Sequence, residues 1–206
     1  MASQSTQLCD IYGAQSTDLV IPDGANLSMY QPSDFINKKV KVLGLFILDG
    51  EMTFQGTIFE CNPEALIVGG SHNITFENCF IFCCAANQTF DGLTFNRANQ
   101  VKKIRFFRTK VHNYHQILVN NLEFEAVLSE FRYSDFSQFP TGASIRIVNS
   151  FRDAGKTTID ACGLGSLTAT MIEISHEIAG CWICGEVYIR NSQIADIASG
   201  SGLSVN

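Results

Sequence analysis

Ile74-Thr75-Phe76-Glu77-Asn78-Cys79-Phe80 is the stretch that decides the fold: apolar, polar, apolar, then a polar corner and another apolar residue. The phrase returns as Ile145-Arg146-Ile147-Val148-Asn149-Ser150-Phe151 and as Val187-Tyr188-Ile189-Arg190-Asn191-Ser192-Gln193-Ile194. Looser copies run from Ile104 to Val111 and from Ile172 to Ile178. A period of two sends alternate side chains to opposite faces of a strand. Ile74, Phe76, Ile145, Ile147, Val187 and Ile189 are therefore expected in one core, with Thr75, Arg146 and Tyr188 outside. The corner turns the chain into its next strand. Units of this kind stacked on one another predict a solenoid.

Apolar-x-apolar triplets begin at Met52, Ile74, Leu93, Ile104, Leu122, Ile145, Ile172 and Val187, at irregular intervals. Several of the steps suit one coil of three short strands with their loops. Those from Leu93 to Ile104 and from Ile172 to Val187 are too short and mark a second strand within one coil. Asn78, Asn149 and Asn191 stand just after their triplets, where Asn tolerates left-handed backbone, and stacked copies would form an amide ladder. Their neighbours Cys79, Ser150 and Ser192 are small, as a crowded inward corner requires.

The 206 residues are 46% hydrophobic, with 16 Phe and 4 Pro, which is enough for one sizeable core and leaves little for a linker. Fourteen Lys and Arg against 20 Asp and Glu give a net charge of −6, which argues against a nucleic-acid binder that must neutralise phosphates. No run of eighteen apolar residues occurs, so no membrane insertion is expected. Residues 1–10 lack a basic start and an apolar run, so no signal peptide is expected either.

Residues 1–38 read as an N-terminal leader and cap, with turns at Pro22-Asp23-Gly24 and Gln31-Pro32-Ser33-Asp34. Residues 39–206 read as a parallel β-helix domain with a short C-terminal tail that frays or adds a last narrow strand. Asp49-Gly50, Gly69-Gly70, Asp91-Gly92, Thr141-Gly142 and Asp153-Ala154-Gly155 supply corners. Leu43-Gly44-Leu45-Phe46-Ile47-Leu48 reads as a strand buried on both faces.

Eight cysteines without a signal peptide, several in apolar runs, are expected as reduced, buried thiols without metal. Cys181-Trp182-Ile183-Cys184 and His112-x-x-His115 have ligand-like spacing. On a strand, however, the two thiols would face opposite sides and could not share one zinc ion. No cofactor is expected.

The turn Asp18-Leu19-Val20-Ile21-Pro22-Asp23-Gly24, the step Met52-Thr53-Phe54-Gln55-Gly56-Thr57-Ile58 and the rungs at Ile74 and Val187 together resemble right-handed parallel β-helix proteins of the pectin-lyase-like kind. Within that group they are most similar to bacteriophage tailspikes and virion appendages. The resemblance covers residues 18–195 and implies an all-β, single-stranded right-handed solenoid. The competing architecture is a β-sandwich or jelly roll, which also has many short strands.

Polysaccharide-cleaving β-helices carry paired carboxylates on a solvent face, one as acid and one as base or nucleophile. Glu123 and Glu125 flank inward Phe124 and so point outward on one strand, with Glu130 and Asp135 following near Arg132 and Tyr133. These four are the catalytic candidates if the chain is an enzyme. No Gly-x-Ser-x-Gly turn and no Asp-rich calcium arrangement accompanies them. The first expectation is a non-catalytic structural or receptor- and glycan-contact module on the surface of a virus or phage particle, assembled in the cytoplasm. It would be a homotrimer or contact other particle proteins, because Phe and Ile exposed along one flank would need neighbours. The second is a small polysaccharide depolymerase, a hydrolase or lyase acting on a surface glycan.

Overall fold

The computed structural model describes residues 12–83, 92–112, 117–132, 145–149, 156–160, 167–169, 171–176, 187–190, 192–194 and 202–205. Strands β1 (Leu19–Ile21) and β2 (Ala25–Asn26) precede two 3-10 turns, Leu27–Met29 and Pro32–Asp34. Sets of three follow: β3 (Lys39–Val42), β4 (Leu45–Ile47) and β5 (Met52–Gln55), then β6 (Ile58–Cys61), β7 (Leu66–Gly69) and β8 (Ile74–Glu77). Next come β9 (Phe80–Cys83), β10 (Leu93–Asn96) and β11 (Lys103–Phe107), then β12 (Lys110–His112), β13 (Ile117–Asn120) and β14 (Glu123–Val127). After these run β15 (Glu130–Arg132), β16 (Ile145–Asn149) and β17 (Thr157–Asp160), then β18 (Leu167–Ala169), β19 (Met171–His176) and β20 (Val187–Arg190), and finally β21 (Ser192–Ile194) and β22 (Gly202–Val205).

From β3 onward, each strand pairs with the third one after it. Sheet A is β1-β3-β6-β9-β12-β15-β18-β21, sheet B is β2-β4-β7-β10-β13-β16-β19-β22, and sheet C is β5-β8-β11-β14-β17-β20. The pairings are parallel, as in Met52↔Ile74↔Ile104↔Phe124 along sheet C. Three parallel sheets wound by one chain make a β-solenoid. The sandwich fails, because its neighbouring strands run antiparallel. Among the described residues no helix is long and apolar enough to cross a membrane.

The core lies inside the three sheets. Along sheet C, Phe54, Phe76, Phe106, Ala126 and Ile159 form one inward column, each in register with the next. Phe76 stacks between Phe54 at 5.2 Å and Phe106 at 5.0 Å, both rings 15° from parallel. Phe59 and Phe131 from sheet A and Phe95 from sheet B close on this stack edge-on. A fully buried Phe contributes about 1.5–3 kcal/mol by leaving water, and offset or edge-on aromatic contacts add to that.

The corner between sheets C and A explains how coils of unequal length stay aligned. Asn37, Gly56, Asn78, Arg108 and Leu128, each two positions ahead of a sheet A strand, have φ between 49° and 63°. One left-handed residue per coil makes the turn. Its amide donates to the neighbouring coil, to the carbonyls of Gln55, Glu77, Phe107, Val127 and Asp160 in order. After the last four of these corners the next residue points inward and is small: Thr57, Cys79, Thr109 and Ser129 are all buried. Their hydroxyls donate to inward carbonyls, Thr57 to Phe35 at 2.8 Å, Thr109 to Phe76 at 2.9 Å and Ser129 to Val127 at 2.9 Å. A buried carbonyl without a donor would be costly, so the column must be polar as well as small.

Several expectations change in the structure. Ile74, Phe76 and Ile147 are buried and Tyr188 is exposed, while the side chains of Ile145, Arg146, Val187 and Ile189 lie outside the described set. The Ile74 and Val187 triplets belong to sheet C, but Ile145 to Asn149 is β16 of sheet B. Asn149 is therefore not the counterpart of Asn78. The amide contact falls at another corner, where Asn120 Nδ2 donates to Asn96 Oδ1 between β13 and β10. The two short steps, Leu93 to Ile104 and Ile172 to Val187, do link strands of one coil, β10 to β11 and β19 to β20. Leu45 and Ile47 are half-buried and Leu43 is exposed, so β4 is buried on one face only. The tail adds β22 beside β19, and β1 and β2, within residues 1–38, pair with β3 and β4. The large exposed hydrophobics among the described residues are Val20, Met29, Ile36, Leu43 and Tyr188, with no Phe among them. Cys61, Cys79 and Cys83 are buried. Cys9, Cys84, Cys162, Cys181, Cys184 and His115 lie outside the described residues.

Candidate functional site

Alternation on β14 puts Phe124 in the core and Glu123 and Glu125 on the outer face of sheet C. In parallel register, Glu123 lies beside Lys103 and Glu125 beside Arg105 of β11. Lys103 Nζ reaches Glu125 Oε2 at 2.6 Å and Glu123 Oε1 at 3.1 Å. Arg105 Nε stands 3.3 Å from Glu125 Oε2, but this atom is buried with no aligned acceptor, so the contact is one of charge rather than a hydrogen bond. Partial burial pulls the Lys103 ammonium down. Hydrogen bonds and charge from Glu125 and Glu123 outweigh that and hold its pKa above the ordinary lysine value. Further along the same face, Arg190 meets Asp160 at 2.7 Å, and the Lys156 ammonium sits 4.2 Å from the Tyr188 ring centroid.

Glu130 belongs to a different face. It opens β15 on sheet A, and its Oε1 lies 2.7 Å from His112 Nε2. His112 is buried, packs edge-on against Phe80 at 5.2 Å, and leaves its Nδ1 without a hydrogen-bond partner. Its neighbours on the sheet explain the burial. Tyr12 covers Phe80 and Phe82, with ring centroids 5.0 and 6.4 Å away, so β9 is buried on both sides. The same segment is pinned by Lys39, whose Nζ donates to the carbonyls of Gly13 and Gln15 and pairs with Glu60 at 2.8 Å. The four acidic candidates thus divide into a pair on sheet C, Glu130 on sheet A, and Asp135 outside the described residues.

Among the described residues, clefts open between coils at two places. One of about 340 Å³ lies between the loops ahead of β8 and β11, lined by Ser71, His72, Ala98, Asn99, Gln100 and Lys102. The other, of about 220 Å³, lies at the left-handed corner and is lined by Tyr12, Asn78, Cys79, Phe80, Arg108 and Lys110. Burial pushes the Cys79 thiol up to about 11, so it is held as a thiol at neutral pH.

The basic partners of the acidic pair are open to sequence reasoning. Placing Lys103-Ile104-Arg105 over Glu123-Phe124-Glu125, one coil later in the chain, brings opposite charges together. The corner cleft carries no such signal, since it depends on the distant segment around Tyr12 folding over sheet A. Comparison of the chain with protein-family models, with curated proteins and with solved structures returns no match. What the fold and these faces define is a class, the parallel β-solenoid.

Proposed function

We propose that the chain is a non-catalytic β-solenoid module, a rigid structural or receptor-contact element on the surface of a virus or phage particle. The observation that carries this reading is the pairing of Glu123 and Glu125 with Lys103 and Arg105 at 2.6–3.3 Å. A glycosidase needs two carboxyl groups free to reach either side of a glycosidic bond. Here their oxygens face cations of the neighbouring coil, as expected of a charge ladder that keeps a sheet face soluble and in register. The particle setting is supported by the likeness of the Asp18–Gly24 turn and the rungs after it to tailspike-type β-helices, with a surface polysaccharide as the expected contact. Among the described residues, the exposed large hydrophobics Val20, Met29, Ile36 and Leu43 lie near the N-terminal end, which supports a neighbouring subunit or particle protein there.

The test is release of reducing ends or unsaturated uronates from a panel of bacterial capsular and lipopolysaccharide glycans by the full chain, beside Glu123→Gln and Glu125→Gln. No release is expected. Robust release that either substitution abolishes would replace this reading with the depolymerase. Sedimentation equilibrium on the same protein separates a trimer from a monomer.

A further inference from the structure

On the face of sheet C, Lys103, Arg105 and Arg190 all meet carboxylates. The left-handed corner differs. Asn78 and Arg108 are successive members of that column, their amides bonded to Phe107 and Val127 of the following coils, so they stand roughly 4.8 Å apart along the stack. Two positions further on, Phe80 and Lys110 are register partners on β9 and β12. Among the described residues neither Arg108 nor Lys110 has a carboxylate within ion-pair distance. Glu130, the register partner of Lys110, is turned to His112 instead. The Arg108 guanidinium rests over the Phe107 ring at 5.0 Å, which fixes its plane without neutralising it. In a chain of net charge −6, these two cations, two positions apart on one coil, line one cleft together with Tyr12, Phe80 and Asn78.

We propose that this corner cleft binds one carboxylate-bearing pyranose, a uronic acid unit of an acidic glycan. The carboxylate takes the guanidinium fork of Arg108 and the ammonium of Lys110, a charge-assisted arrangement stronger than neutral hydrogen bonding. The Asn78 amide and the Tyr12 hydroxyl serve the ring hydroxyls, and the half-buried Tyr12 ring takes the apolar face of the sugar. At about 220 Å³ the cleft falls below the roughly 300 Å³ at which drug-sized sites begin, which suits one ring rather than an enclosed oligosaccharide. The aromatic and amide walls distinguish it from a bare anion hole. With Cys79 held as a thiol, the site binds and does not react. It stands whether or not the solenoid belongs to a particle.

The test is a ¹H–¹⁵N shift titration of the full chain with glucuronic acid, glucose and inorganic phosphate. Glucuronic acid is expected to shift the amides of Asn78, Arg108 and Lys110 with a Kd on the order of 1 mM, glucose and phosphate binding about tenfold more weakly. Arg108→Asn, which keeps a residue suited to left-handed backbone, and Lys110→Gln should each weaken glucuronic acid by about tenfold at unchanged melting temperature. Tyr12→Ala should weaken glucuronic acid while leaving phosphate as it was. The proposal is overturned if glucuronic acid moves no amide of the cleft, if both charge variants keep wild-type affinity, or if phosphate binds as tightly as the sugar acid, which would make the corner a simple anion hole.

Discussion

Single positions carry costs that the solenoid tolerates because its neighbours fix them. Thr157 is fully buried on β17, in register with Phe124 and Val187, and its hydroxyl has no hydrogen-bond partner. Thr157→Val keeps the shape and removes the stranded donor, so urea titration should show unfolding free energy higher by about 1–2 kcal/mol. Leu128 holds φ at 52° in the corner column, a conformation Leu dislikes and Asn accepts. Leu128→Asn should stabilise by up to about 1 kcal/mol in the same measurement, since the half-buried Leu128 side chain gives up some apolar contact in exchange. Both positions are opaque in the sequence. Gly-containing pairs and the Asn after each triplet are where sequence reasoning puts positive φ; Asn78 behaves so, yet Arg108 and Leu128 hold the same column, because the inter-coil hydrogen bond of each corner amide overrides local preference. Among the described Gly pairs, Gly70 behaves as expected. Its φ is 118°, and a side chain there would collide with the Asn96 carbonyl oxygen.

At the scale of elements, strands are legible and their assignment to sheets is not. The alternation of Ile74-Thr75-Phe76-Glu77 or Glu123-Phe124-Glu125 fixes inside and outside directly, and those burial patterns are observed. Which sheet a strand joins depends on loop length. The sheet C step from Ile74 to its partner Ile104 is much longer than the next one, from Ile104 to Phe124. Loops absorb the difference, so a search for one period mixes β16 of sheet B with β8 of sheet C. The β11–β14 pair makes its own prediction. Lys103 has a pKa above the ordinary lysine value in the folded chain, held there by Glu125 and Glu123 against partial burial. A cation raised in this way stabilises fully below its unfolded pKa of about 10.4 and loses that contribution as pH climbs through the higher folded value. Thermal melts should therefore show wild type above Lys103→Met by a constant margin from about pH 6 to 9, and the margin should close beyond the unfolded lysine pKa. Glu123→Gln and Glu125→Gln, which disturb the same exposed ladder, should each cost under about 1 kcal/mol.

At the scale of the whole molecule, each coil touches only its neighbours, so stability is a sum of coil and interface contributions and differs between the middle and the ends. Sheet C gives the middle its strength: β8 has strands on both sides, and Phe76 is stacked between Phe54 and Phe106 with Phe59 and Phe95 against its edges. β1 pairs with β3 at the end of sheet A, and its Val20 is exposed. Opening β1 exposes one strand and little apolar surface, whereas opening β8 must separate two interfaces and break the Phe stack. Native-state hydrogen exchange should therefore be slowest at the amides of Phe76 and Ile81, approaching global unfolding, and faster by at least about tenfold at Leu19 to Ile21. Phe76→Ala should remove about 3–5 kcal/mol and bring the protection of β8 down toward that of the edge. Uniform protection from β1 to β11 would mean that the coils unfold as one unit, and the neighbour-by-neighbour account of this solenoid would fail.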